Sequence, residues 1–168
     1  MKVFVLVLSK PNRRNKHGGT SLAEFAPALI VLLIFIFFPV LDLLTVCFDY
    51  AVLMVLNYNQ IHEAALIPSE QANDPVGVVK KGVVDQWQKG MGNFVKLSGS
   101  PQTTVSYADG SQRDDKTLDK VVTITTNIDC NPFVPVPVPG LTVPGLNAPM
   151  TLSVTTQRPM EDPDNAAP

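Results

Sequence analysis

From Phe25 to Leu41 the chain reads FAPALIVLLIFIFFPVL, a run with no charged residue, and apolar residues resume past Asp42 as far as Leu56. A bilayer core of about 30 Å takes about 20 helical residues to cross, which Ser21 to Leu41 supplies with Glu24 as its one charged position. A secretory signal peptide has a shorter apolar stretch, about 7 to 15 residues, followed by a small-residue cleavage site, and no such site occurs between Asp42 and Asn57. The run therefore predicts a membrane-spanning helix. Lys2, Lys10, Arg13, Arg14 and Lys16 precede it, and the next basic residue is Lys80. Because Lys and Arg flanking a span stay cytoplasmic, the N-terminus is expected inside and the remainder outside.

A chain of 168 residues leaves room for one extracytoplasmic domain with a modest core. Its formal net charge of -2 gives no general attraction to nucleic acid. Catalytic chemistry finds little to work with. The histidines are His17 and His62, and His62-Glu63-Ala-Ala-Leu66 lacks the second His of a zinc-protease helix. There is neither a glycine-rich phosphate loop nor a nucleophile elbow. No enzyme, cofactor or metal is expected. Asp109, Asp114, Asp115 and Asp119 miss the calcium-loop spacing and are interleaved with Arg113 and Lys116, so a solvated hairpin loop is expected there. Cys47 and Cys130 are not expected to bridge internally, while an intersubunit bridge through Cys130 stays open.

Past the span, apolar spacing predicts a helical continuation from Asp42 to Ile67, stopped by Pro68, with a kink at Pro39. Asp42 and Asp49 lie seven residues apart and so share a helix face, where they meet a partner's cation or water; water is expected. Asp74 to Leu97 reads as a second helix carrying Val76, Val79, Val83, Trp87, Met91 and Phe94 on one stripe, weakened by its glycines. Alternating β-branched residues predict strands at TTVSYA, KVVTITTNI and MTLSVTTQ, which make a three-stranded antiparallel sheet. Asp109 to Asp119 reads as the hairpin connection, and Pro132 to Pro149 as a proline-rich excursion unable to pair regularly. Val122, Ile124, Val154, Trp87 and Phe94 are the expected core, with Pro135 to Pro144 outside as a rigid, partner-facing segment. The expected architecture is α+β and membrane-anchored: residues 1–19 a basic leader, 20–41 the span, 42–67 its helical continuation, 68–158 the head and 159–168 a loose tail.

The junction HGGTSLAEFAPAL resembles the prepilin class of filament subunits. That resemblance implies cleavage after Gly19, which makes Thr20 the first mature residue and puts Glu24 at the fifth position, where the class carries a glutamate. The arrangement makes physical sense, because a carboxylate one turn into an apolar helix is costly in lipid unless paired, and cleavage creates a cation at the Thr20 amine. In a helical stack that amine can neutralise the Glu24 of a neighbour. The alternative is an ordinary helix start, with Thr20 or Ser21 as cap and Glu24 favouring the dipole.

Three segments carry a closer resemblance to the TadE-like pseudopilins of tight-adherence (Tad/Flp, type IVc) pili: TSLAEFAPALIVLLIFIFFPVLDL, NYNQIHEAAL, and VVTITT leading through PFVPVPVPGLTVPGL to MTLSVTTQRPME. The apolar leader segment Val3 to Leu8 and the lack of basic residues soon after the helix depart from that family. The resemblance implies a minor pilin-like subunit in the cytoplasmic membrane with its head outside. Lipid, the prepilin peptidase, fellow pilins or pseudopilins and the assembly platform are the implied partners; nucleic acid is not. Competing readings are a signal-anchored periplasmic binding or structural protein with an uncleaved N-terminus, and a pseudopilin of a type II secretion system.

Overall fold

The computed structural model describes residues 20–112, 118–136 and 140–162. Its spine is one helical rod: α1 (Thr20–Leu32), a π-helical turn (Leu33–Phe37) and α2 (Phe38–Leu66). At 1.5 Å per residue the rod is about 70 Å long. Its stretch from Glu24 to Leu66 is long and apolar enough to cross a membrane. The wide turn has a local cause. Pro39 cannot donate a backbone hydrogen bond, and just before it the Phe38 N–H reaches back five residues to the Leu33 carbonyl. Where a kink is expected, the structure shows a π-turn immediately before Pro39.

Pro68 ends α2 where the chain turns extended at Ile67, and a short α3 (Ser69–Asn73) follows. The long helix expected over Asp74 to Leu97 forms only in part. A π-turn (Val78–Gly82) leads into α4 (Val83–Lys89), and Gly90, at φ -103° and ψ -114°, breaks the helix before a 3₁₀ turn (Met91–Phe94). The break shifts the apolar phase. Phe94, expected in the core, is 73% exposed, and Val95 is buried in its place at 6%. Gly92 is required where it stands, because a Cβ there would lie 2.4 Å from the Trp87 ring.

The sheet has the order β1-β2-β3, all antiparallel, from β1 (Gln102–Gln112), β2 (Leu118–Cys130) and β3 (Met150–Pro159). Both strands of the hairpin run further than expected. Asp109 and Asp119 lie within β1 and β2, and Lys120 Nζ donates to Asp109 Oδ1 at 2.6 Å. Burial follows the two-residue period: Val122, Ile124, Thr126, Ile128 and Cys130 face inward on β2, as do Leu152 and Val154 on β3. The outer face carries threonines, with Thr125 and Thr155 hydrogen-bonded across the strands at 2.9 Å.

α2 lies across the inner face and divides the core in two. Leu53 and Leu56 join Trp87, Ile128, Leu152 and Val154 in one apolar cluster; Ile61, Ala64 and Ala65 join Val79, Val105, Val122 and Ile124 in the other. Between them runs a buried polar belt. Asn57 Nδ2 donates to the Ile124 carbonyl, Thr126 Oγ1 and the Val154 carbonyl at 3.2, 3.0 and 3.1 Å. The Thr126 hydroxyl donates to Gln60 Oε1 at 2.7 Å, and Gln60 Nε2 donates to the Val79 carbonyl and Thr103 Oγ1 at 2.9 and 2.8 Å. Nearby, Trp87 Nε1 donates to the Val52 carbonyl at 3.1 Å, as a buried indole requires.

Asn57→Ala strips the belt of its donor and opens a void beside Thr126. The substitution should cost about 2–3 kcal/mol of head stability. Denaturant unfolding in detergent, followed by Trp87 fluorescence, measures it.

Candidate functional site

Of the residues singled out from the sequence, Gly19 lies outside the described residues, and Thr20 is the first residue of α1. Glu24 is exposed one turn into that helix. Eighteen residues separate it from Asp42, about 27 Å along the rod. The structure does not bring these two carboxylates together.

Asp42 and Asp49 do share a face of α2, but that face is not solvated. The expectation of water fails because the head lies over it: Asp42 is 2% exposed and Asp49 1%. Four elements converge there, namely the start of α2, the end of β2 at Cys130, the start of β3 at Met150, and the loop between those strands. Asp42 Oδ1 accepts from the Val134 N–H at 2.9 Å, so the helix holds the loop by one of its backbone donors. Asp49 accepts from the Cys130 thiol. Asp42 Oδ2 and Asp49 Oδ1 have no hydrogen-bond partner among the described residues. Both acids line a cavity of about 10 Å³ along with Thr45, Asn131 and Met150. That volume is at the lower limit for a single water molecule.

Burial sets the chemistry of this pair. Desolvation pushes the Asp49 carboxyl above its ordinary value, against the smaller opposing effect of the thiol's hydrogen bond. The Cys130 thiol is pushed up to about 12, by burial first and then by the charge and hydrogen bond of Asp49 and the charge of Asp129. It remains a protonated donor. A buried, protonated thiol is a poor nucleophile, so an intersubunit bridge through Cys130 is disfavoured; Cys47 is the exposed cysteine.

The described part of the proline-rich loop is largely exposed, as expected at Pro135, Gly140, Leu141, Thr142 and Pro144, but it is anchored inward at one point. Val136 is buried, its N–H donating to the Leu146 carbonyl at 3.0 Å. Asn147, unremarked in the sequence, organises the turn: Oδ1 accepts from the Val143 N–H at 2.6 Å and Nδ2 donates to the Leu141 carbonyl at 2.7 Å. Gly145, at φ +79°, lets the chain double back against Val46. Pro144, Gly145 and Leu146 thereby sit across a cavity of about 310 Å³ from Pro39, Leu43 and Val46. Residues 137–139 lie outside the described residues.

Elsewhere, an open depression of about 450 Å³ between α2 and α4 is lined by Val55, Asn59, His62, Glu63, Val83, Gln86, Trp87 and Met91. Among the described residues no three His, Cys, Asp or Glu side chains are grouped as a metal site requires. Asp114 and Asp115 are outside the described residues. Next to that depression, which Val55 borders, α2 carries an exposed apolar face of Leu44, Phe48, Met54 and Tyr58.

Maleimide should label Cys47 in the folded chain and reach Cys130 only after denaturation, as mass spectrometry of the adducts would report. The buried acid predicts a pH signature. Because the folded value of Asp49 is raised, the folded state holds the extra proton in the window between about 3.8 and that raised value, and stability contributed by this group falls as pH rises through it. Asp49→Asn should remove that slope. Relative to the Asn variant, the parent head should gain stability as pH is lowered from neutral into the carboxylate range, measured as the difference in denaturation midpoints at each pH.

Comparison of the chain with family models, with curated proteins and with solved structures finds no match, so its function is read from its own residues and geometry.

Proposed function

We propose that this chain is a minor pilin-like subunit of the TadE type, held in the cytoplasmic membrane by its N-terminal helix, cut after Gly19, and recruited into a tight-adherence pilus or its assembly complex by helix packing. It acts as a structural partner and performs no reaction. The single observation that carries this reading is the uncovered apolar stripe of α2. Leu44, Phe48 and Tyr58 are exposed on one face of the helix, with Met54 and Val55 alongside, and the sheet does not cover that face. From Asp42 to Tyr58 the helix rises about 24 Å, so lipid that covers residues 24–41 cannot also cover the stripe. A neighbouring helix of the same kind can.

The same packing gives Glu24 its role. It lies exposed near the start of the apolar helix, with no cation in its own chain's described residues close enough to pair with it. A neighbour's Thr20 amine, released by cleavage, would remove the cost of that carboxylate in lipid. The groove lined by His62, Glu63 and Trp87 supports a second reading, a signal-anchored binding protein that keeps its N-terminus.

Mass spectrometry of the mature chain separates the two, since the first begins at Thr20 and the second retains the leader. A bulky residue at position 19 should leave the precursor inserted and uncut. Glu24→Val should insert and be cut, yet fail to co-purify with the other subunits of the filament system. Assembly of the Val variant at the parent level would exclude the charge-pair mechanism.

A further inference from the structure

We infer that the base of the head, formed by Phe133 and residues 140–149, is a lipid-contacting surface that rests in the interface of the bilayer crossed by the protein's own helix. The inference builds on the membrane-anchored reading and adds a second, independent point of contact. Depth comes from the helix. If Glu24 stands at one edge of the hydrocarbon, Asp42, about 27 Å further along, stands at the other. The loop is pinned at that level, because the Val134 N–H donates to Asp42 and because Pro144, Gly145 and Leu146 flank Pro39, Leu43 and Val46.

Its chemistry fits that position. Between Asp129 and Arg158 the sequence has no charged residue and no histidine, although charged residues are spread through the rest of the head. Leu141 is 60% exposed at the turn, and Phe133, earlier in the loop, is half exposed. Neither packs in either apolar cluster of the head. Backbone polarity is the usual obstacle to placing a loop against lipid, and here it is reduced in part, as suits the interface more than the hydrocarbon. Pro132, Pro135, Pro144 and Pro149 have no N–H to satisfy. The N–H groups of Val134, Val136, Val143, Gly145, Leu146 and Asn147 all donate within the chain. At the rim, Lys96 Nζ lies 4.6 Å from the centre of the Phe133 ring and donates to the Phe133 carbonyl at 3.1 Å, which places an ammonium and an aromatic ring at headgroup level.

Two contacts make the arrangement more than an anchor. A helix alone can rotate and tilt in lipid, whereas a helix with a lipid-seated base holds the α2 stripe in one orientation relative to the membrane plane. The test uses full-length chain in vesicles of phosphatidylcholine and phosphatidylglycerol, the former brominated on its acyl chains as a quencher of tryptophan. Trp87, the chain's tryptophan, is buried in the head and supplies the background. Leu141→Trp should add emission that the brominated lipid largely abolishes. Val76→Trp, exposed on the head away from the base, should add emission that survives, and Leu32→Trp, mid-helix, reports insertion. Resistance of Cys130 to maleimide confirms that each variant is folded. Quenching at Leu32 without quenching at Leu141 overturns the inference and leaves the anchor standing. Loss of quenching at both positions overturns the anchored reading and the inference with it. Leu141→Trp emission that is untouched by brominated lipid but shifts to the blue as the protein-to-lipid ratio rises would assign the base to a second copy of the chain and equally overturn the lipid assignment.

Discussion

One helix carries large apolar residues on more than one side, and the amide pair Asn57 and Gln60 decides which side meets the head. α2 presents Asp42, Asp49, Leu53, Leu56 and Ile61 to the head and leaves Leu44, Phe48, Val55 and Tyr58 outside. Apolar packing alone would define that division weakly, since both sides of the helix carry large apolar residues. Hydrogen bonds from Asn57 to β2 and β3, and from Gln60 to the Val79 carbonyl and Thr103, have direction as well as strength. Rotation of the helix by one residue would leave these buried groups unpaired, at about 1–3 kcal/mol each. The belt therefore fixes the azimuth of the head about the helix, and with it the face left exposed.

The buried acids at the base show what such a division costs. Asp42 recovers part of its lost hydration from the Val134 amide, and Asp49 from a thiol. One oxygen of each remains without a partner among the described residues. Buried polar groups so incompletely satisfied weaken a fold, so their presence points to a role other than stability. Asp42 ties the loop to the helix at one fixed height, and a Leu there would pack well enough but would accept no hydrogen bond from the loop.

Much of the fold was legible because its signals are local. The two-residue alternation of VVTITTNI and MTLSV located the strands, and Pro68 marked the end of α2. Periodicity also put Asp42 and Asp49 on one face, but it cannot say what covers a face, and here a loop ninety residues away covers it. The same limit hid Asn57 and Gln60. Their polarity reads as solvent exposure until the sheet supplies acceptors from residues 103, 124, 126 and 154. Phe94 and Val95 exchanged places because Gly90 adopts a backbone conformation no helical stripe anticipates, and a phase error of one residue reverses inside and outside. The proline-rich loop was legible as irregular backbone. Its destination was not, since Asn147 and Gly145 fold it through contacts within the loop and with Val46.

On the anchored reading, the order of events along α2 follows from these same contacts. The π-turn before Pro39 interrupts the regular hydrogen bonding of the rod just below the point where Asp42 fastens the loop, and π-turns are where helices commonly bend. Above Asp42 the helix is braced by the sheet, the polar belt and Trp87. Below Pro39, which the loop still flanks, the helix is largely exposed among the described residues. A subunit built this way can change the angle of its lower helix on moving from lipid into a helical bundle while the stripe above keeps its shape. That separation of a compliant anchor from a rigid docking face is a physical requirement for any chain that must be stable in a bilayer first and packed against other helices afterwards.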